Sequence, residues 1–291
     1  MQCSEFYVYC IDQYRSNTHT DSMNYPELDV STHRASSPPW LYSATELPRV
    51  AAEASSLGSA LPWLATSPQG DGHTVMTLPG FTASDWSTTL LRRFLGRCGY
   101  RPRGWSLGRN TGALELQDRL VTQFLKVSDE AGTPISLIGQ SLGGVFSREL
   151  ARRFPERVRQ VICLGSPFGM TGSGHTNPLV HRLFVQMSGA TAEQMREEMF
   201  VVDSAEAPEV PCTAVYSRFD GVVAWQTCLE RDRPQTDNIE VVGSHIGMAL
   251  HPAILHAVAD RLTQAHGHWQ RFDRSRGLRS LVFPTPQFAP G

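Results

Sequence analysis

The sequence predicts an α/β protein built on a mostly parallel sheet with helices on both faces. Two observations lead there. From Thr74 onward, short apolar runs alternate with segments whose apolar residues recur at the 3.6-residue period of a helix. Strands that alternate with helices are joined by crossovers, which makes them parallel and covers both faces of the sheet. The material is sufficient: 291 residues, 41% hydrophobic and 19% charged, can enclose one sizeable core.

Taken in order, residues 1 to about 45 are polar, rich in Ser, Thr, His and Pro, and without a sustained period. They read as a partly disordered extension in which Tyr7, Tyr9 and Trp40 are the residues able to dock on the body. A short helix is expected over Leu47–Leu61. The strand candidates are Thr74–Leu78, Gly104–Leu107, Ile135–Ile138, Gln160–Leu164, Cys212–Tyr216 and Ile239–Val242. Between them lie helical faces marked by Leu90, Leu91, Phe94 and Leu95, then by Leu114, Val121, Phe124 and Leu125. Leu142, Val145, Phe146, Leu150 and Phe154 mark a third, and Ile254, Leu255, Val258 and Leu262 a fourth. Gly132 and Pro134 stop the second helix before the third strand. The domain is expected over residues 46–272, with a tail at 273–291 that has three prolines and a terminal glycine. The long gap between Leu164 and Cys212 is expected to carry helices of its own, a lid at about 168–207.

Charge and cysteine usage exclude several functions. The formal net charge is −2, and Lys and Arg are scattered singly or in pairs. Nothing there favours nucleic acid or a polybasic membrane anchor. No run approaches the roughly 18 apolar residues of a membrane span, and the amino terminus lacks a secretory pattern. Six cysteines with no CxxC pair read as buried free thiols of a cytoplasmic protein. Neither a metal nor a cofactor is expected: there is no HExxH, GxGxxG or GxxxxGK[ST], and His266 and His268 lack a companion ligand.

One segment carries chemistry. Gly139-Gln140-Ser141-Leu142-Gly143 follows the run Ile135–Ile138 and precedes a helical pattern. That is the setting of a nucleophile elbow, a tight strand-to-helix turn that projects the serine hydroxyl. By chance alone the pattern arises roughly 0.2 times in such a chain, so the strand-before, helix-after context gives it its weight. A serine needs a base, and the base an orienting acid, in the order Ser…Asp…His. His245 follows the last strand run and Asp220 the one before it, both at strand carboxyl ends. His251, His256, His266 and His268 lie on or after the last helix. His175 and His181 lie in the insertion, and His73 precedes the first strand. Asp203 is upstream of its strand, and Asp232 and Asp237 fall in the next loop. A tetrahedral intermediate also needs N–H donors. Leu142 supplies one, and Phe81, in Leu78-Pro79-Gly80-Phe81 after the first strand, supplies the other.

These four segments, LPGF, GQSLGG, SRFDGVV and VVGSHIGM, resemble the α/β-hydrolase superfamily, particularly its bacterial serine esterases and lipases. The resemblance covers about residues 73–265. It implies an α/β-hydrolase fold, Ser141 as nucleophile, His245 as base, Asp220 as its acid, and Phe81 and Leu142 as the oxyanion hole. The chain departs from many lipases in having Pro79 where they have His. Serine at the elbow argues against the members that open epoxides or carbon–halogen bonds on an aspartate, and against the polyester synthases, which use cysteine.

The expected activity is cleavage of a small-molecule carboxylic ester through an acyl-enzyme. Acyl transfer or thioester cleavage would use the same triad, and a non-catalytic binding protein on the same fold is the rival from another class. Leu179, Val180, Leu183, Phe184 and Met187 recur at helical spacing in the insertion, followed after Ser188-Gly189 by Met195, Met199 and Phe200. They predict a mobile apolar lid that contacts acyl chains, chiefly through Phe184 and Met187.

Overall fold

Apolar runs that lack polar alternation belong to strands covered on both sides, and four of the predicted runs are so covered. A computed structural model describes residues 37–169, 176, 178–188 and 206–285, all within the unit His33–Gly291. Predictions resting on residues 1–36, 170–175, 177, 189–205 and 286–291 lie outside the described residues, among them Tyr7, Tyr9, His175, Met195, Met199, Phe200 and Asp203.

The strands are β1 (Thr74–Leu78), β2 (Arg101–Gly104), β3 (Ile135–Gln140), β4 (Val158–Leu164), β5 (Cys212–Tyr216) and β6 (Thr236–Glu240). They form one all-parallel sheet in the order β2-β1-β3-β4-β5-β6. The helices are α1 (Trp40–Ala44), α2 (Glu46–Leu64), α3 (Thr89–Arg97), α4 (Leu114–Ala131), α5 (Leu142–Arg153), α6 (Pro178–Ser188), α7 (Pro252–Leu262) and α8 (Arg279–Val282).

Because successive side chains of a strand point to opposite faces, adjacent residues feed different cores. Met76, Leu137 and Val161 join Leu120 and Phe124 of α4 and Phe146 and Leu150 of α5 on one face. Val75, Ile138 and Ile162 join Leu91 and Leu95 of α3, Leu64 of α2 and Ile254 and Val258 of α7 on the other. Burial of each such Val, Leu or Ile contributes about 1.5–3 kcal/mol. The predicted helical faces pack here with one exception, Leu90, which is exposed.

Two edge strands differ from expectation. β2 was expected at Gly104–Leu107 but pairs with β1 over Arg101–Gly104. Beyond Gly104 the ladder cannot continue. The N–H groups of Trp105 and Ser106 donate instead to the Asp85 carboxylate, each at 2.9 Å, and Ser106 turns the chain at φ 59°. β6 was expected at Ile239–Val242 but pairs from Thr236 to Glu240. Its polar start is buried because it is satisfied: Thr236 Oγ1 donates to Arg231 O at 2.6 Å, and Asp237 accepts the Phe272 N–H at 2.7 Å.

At the margins, residues 37–45, assigned to the extension, include α1, and Ser43 Oγ donates to Gly221 O at 2.5 Å. The helix expected over 47–61 runs from Glu46 to Leu64. Residues assigned to the tail include α8 and the buried Phe283, whose ring meets Phe272 edge-on. Cys98, Cys163, Cys212 and Cys228 are buried free thiols, and burial pushes Cys163 up to about 12. Among the described residues, no helix is long and apolar enough to cross a membrane.

Candidate active site

The sheet order reverses beside β1: the chain steps from β1 out to β2, then returns to lay β3 on the other side. Crevices at the carboxyl ends of strands beside such a switch point are where open α/β sheets bind ligands. Two predicted segments meet there, Pro79-Gly80-Phe81 after β1 and Ser141 after β3.

Ser141 links the last residue of β3 to the first of α5 with φ 51° and ψ −123°, left-handed backbone that a side chain rarely adopts. Such a conformation costs on the order of 1–3 kcal/mol and persists only where its surroundings over-determine it. Here they do. Ser141 N–H donates to Leu164 O of the neighbouring strand at 2.8 Å, and Gly144 N–H returns to Ser141 O at 2.9 Å. A Cβ on Gly139 would run into the backbone of Gly143 and Gly144, and one on Gly143 into the carbonyls of Leu78 and Pro79. Glycine at both positions therefore lets the helix start close against β1 and β3. The Ser141 side chain is half-buried rather than sealed. A Cβ on Gly80 would stand 3.2 Å from Ser141 Cβ, so the β1 turn lies directly against the serine. The N–H groups of Phe81 and Leu142 donate to no acceptor among the described residues.

Asp220 lies in the loop after β5 and His245 in the loop after β6. His245 Nδ1 and Asp220 Oδ2 are 2.6 Å apart and both side chains are buried. The second carboxylate oxygen accepts the N–H groups of Val222 and Val223 at 2.8 Å each, which fixes the carboxylate plane. With Nδ1 facing a carboxylate, the proton belongs on Nδ1, leaving Nε2 as the acceptor nitrogen. Burial alone would lower the His245 pKa. The charge and hydrogen bond of Asp220, with the charge of Glu46, outweigh it and hold His245 above its ordinary 6.5.

Several residues that hold this site were not marked in the sequence. Gln140, the variable residue of the elbow, donates through Nε2 to the carbonyls of His245 at 3.0 Å and Ile246 at 3.3 Å. The side chain next to Ser141 thus grips the His245 loop. Ser217 ties the two loops through Gly243, donating to its carbonyl at 2.7 Å. Glu46, Arg49 and Glu53 of α2 reach the same loops. Their signal was present: residues 46, 53, 57, 60 and 64 recur at helical spacing, so the two carboxylates stand on the helix's buried stripe.

The predicted lid residues fall on α6. Phe184 meets Phe81 edge-on at 5.1 Å between ring centroids and lies against Gly112, where a Cβ would collide with it. Met187 is half-buried near the end of the same helix, while Leu179 and Leu183 are exposed.

A second serine–histidine–carboxylate chain stands at the opposite end of the sheet, where the strands begin. Asp71 Oδ1 is 2.5 Å from His73 Nδ1, and His73 Nε2 is 2.8 Å from Ser136 Oγ. Asp71 and His73 line a cavity of about 460 Å³ with Arg101, Arg159 and His266. Ser136, however, is fully buried within β3, paired in the ladder and outside any elbow. Burial also lowers the His73 pKa despite Asp71. This second set lacks the half-buried serine on a strained turn that Ser141 presents. Among the described residues, no group of three or more His, Cys, Asp or Glu is placed to hold a metal ion.

No protein-family model and no curated protein matches the sequence. Solved structures do match in shape. Lipase B of Aspergillus fumigatus superposes over 75% of this chain with a TM-score of 0.51 at 17% identity, and the chain spans 58% of that lipase. A pyrethroid hydrolase gives 0.49 at 16% identity over 65% of this chain and 96% of its own. The monoacylglycerol lipase of Paleococcus ferrophilus gives 0.47 at 14% identity, over 66% and 96%. With the parallel sheet, its switch point and the strand–turn–helix at Ser141, the chain has the α/β-hydrolase fold.

Proposed function

We propose that the chain is a serine hydrolase that cleaves carboxylic esters through an acyl-enzyme on Ser141. The observation that carries the reading is the 2.6 Å pairing of His245 Nδ1 with Asp220, on loops bound through Gln140 to the strained turn that presents Ser141. A serine hydroxyl is a weak nucleophile without a base. His245 Nε2 takes the Ser141 proton as Oγ attacks the ester carbonyl. Charge collects on the carbonyl oxygen, where the N–H groups of Phe81 and Leu142 receive it at the start of a helix. The alcohol departs with the proton from His245. Water then gives a proton to His245 and attacks the acyl group, releasing the acid and restoring Ser141. Asp220 stays ionised and stabilises the imidazolium between the steps.

The apolar contact of Phe184 with Phe81 supports substrates with an acyl chain, lying under α6 as a lid. The test is turnover of p-nitrophenyl esters by wild type and Ser141→Ala. The alanine variant is expected to stay folded and lose all but about 10³–10⁴-fold of rate over water. Retention of more than about a tenth of wild-type turnover contradicts the assignment. A competing alcohol in the same assay separates hydrolysis from acyl transfer by its product.

A further inference from the structure

We propose that Glu46, Arg49 and Glu53 of α2 are positioning residues that clamp the His245 loop and the Asp220 loop in register with Ser141; the proposal rests on the triad reading above. Every N–H from Ser244 to Ile246 ends on a carboxylate of this one helix. Glu53 Oε1 accepts Ser244 N–H at 2.5 Å, and its Oε2 accepts the Ser244 hydroxyl at 2.6 Å. Glu46 Oε1 accepts His245 N–H at 3.1 Å, and Oε2 accepts Ile246 N–H at 3.1 Å. The same Glu46 Oε1 accepts Gly221 N–H, beside Asp220, at 2.9 Å. One oxygen therefore joins two loops that leave different strands.

Arg49, on the same helix beside Glu46, completes the clamp. Its Nη1 donates to Phe219 O at 2.6 Å and Gly243 O at 3.3 Å, one carbonyl from each loop, while Nη2 pairs with Glu46 Oε1 at 2.7 Å. The carbonyls of His245 and Ile246 are already taken by Gln140. The imidazole is thus borne on a loop held by the elbow beneath and by α2 above.

These bonds do more than attach a helix. The buried residues of α2 are Glu46, Glu53 and Leu64, so its amino-terminal half is fastened by buried charge where apolar contacts would be more stabilising. Buried carboxylates persist when hydrogen bonds satisfy them, and here the satisfying donors are the backbone of two catalytic loops. The groups facing His245 are Asp220 from the acid loop and Glu46 from α2, with Arg49 on Glu46. Glu53 stands one residue away, and His251 lies behind Gly243. A negative Glu46 beside His245 also favours the imidazolium formed during turnover.

The experiment compares full-length wild type with Glu46→Gln, Glu46→Asp and Arg49→Gln. It reads kcat and KM on a p-nitrophenyl ester, thermal midpoint, and the rate of Ser141 labelling by a small fluorophosphonate from about pH 5 to about pH 9. Glu46→Gln is expected to lower kcat by about 5- to 100-fold, the range that displacement of a catalytic group by up to an ångström produces, with KM little changed. The acid limb of labelling moves to lower pH, because a negative charge near the imidazole is gone. Glu46→Asp keeps the charge and returns the limb toward wild type. Arg49 is a quarter exposed, so its replacement is expected to leave a folded protein. Removing its positive charge from Glu46 moves the limb the opposite way, to higher pH, and this test stands even if Glu46→Gln fails to fold. Folded variants with wild-type kcat and an unmoved limb, altered only in thermal midpoint, overturn the clamp while leaving the triad intact. A wild type that is not labelled at Ser141 overturns both.

Discussion

Asp220→Asn changes one atom at the centre of the site and leaves its shape alone. Asp220 Oδ1 accepts the N–H groups of Val222 and Val223, and the Asn carbonyl oxygen can keep both bonds. The amide NH₂ then faces His245 Nδ1 in place of Oδ2, across the 2.6 Å contact. Two donors cannot share that contact, so the imidazole proton moves to Nε2. The nitrogen that must accept the Ser141 proton becomes a donor. Loss of the correct tautomer in a triad lowers kcat by about 10⁴-fold, equivalent to about 5.5 kcal/mol of barrier. The fold loses one charged hydrogen bond out of three, on the order of 1–3 kcal/mol. The assay is kcat on an activated ester beside circular dichroism and thermal melting of the same preparation. A folded Asp220→Asn enzyme within about tenfold of wild type refutes the role of Asp220, and an equal loss from Asp237→Asn moves that role elsewhere.

Three further outcomes follow from the same geometry. The proposed mechanism uses neutral His245 as base, and its pKa is held above 6.5, so the acid limb of kcat/KM is expected above about pH 6.5; activity already at its plateau below that value contradicts the proposal. Stability runs the other way. A raised folded-state pKa contributes stability fully present below 6.5 and lost as pH rises through the raised value, so the thermal midpoint advantage of wild type over His245→Gln shrinks across that interval. Phe184→Ala and Met187→Ala are expected to change the ranking of short against medium acyl chains with modest loss of stability; an unchanged ranking, or unfolding, makes α6 structural cover.

How far the sequence revealed the fold depended on where each strand sits. β1, β3, β4 and β5 lie inside the sheet, so their residues are buried on both faces and read as apolar runs. β2 and β6 are the two edges, written RPRG and TDNIE. Their positions are set by ladder partners and by polar groups that satisfy one another, and the nearby apolar residues Trp105 and Val241 drew the reading a few residues onward. The proposed triad residues Ser141, Asp220 and His245 stand out in the sequence because an elbow pattern fixes glycines locally and strand ends fix an order of candidates, and the structure pairs two of them, His245 and Asp220. The support behind them was less legible. Glu46, Arg49 and Glu53 look like the charged residues of any surface helix. Helical spacing groups Glu46 and Glu53 with Leu57, Ala60 and Leu64, and the tertiary fold shows what the two carboxylates meet there: backbone 191 and 199 residues away in sequence.

Intact mass and peptide fragmentation of the wild-type chain after reaction with a fluorophosphonate test the serine assignment most directly. Trypsin releases residues 127–148 as one peptide, which contains both Ser136 and Ser141. The expected result is a single adduct per chain, located by fragmentation on Ser141 and absent from His245→Gln on the same timescale. No adduct, or an adduct on Ser136, contradicts the assignment of Ser141 as the nucleophile.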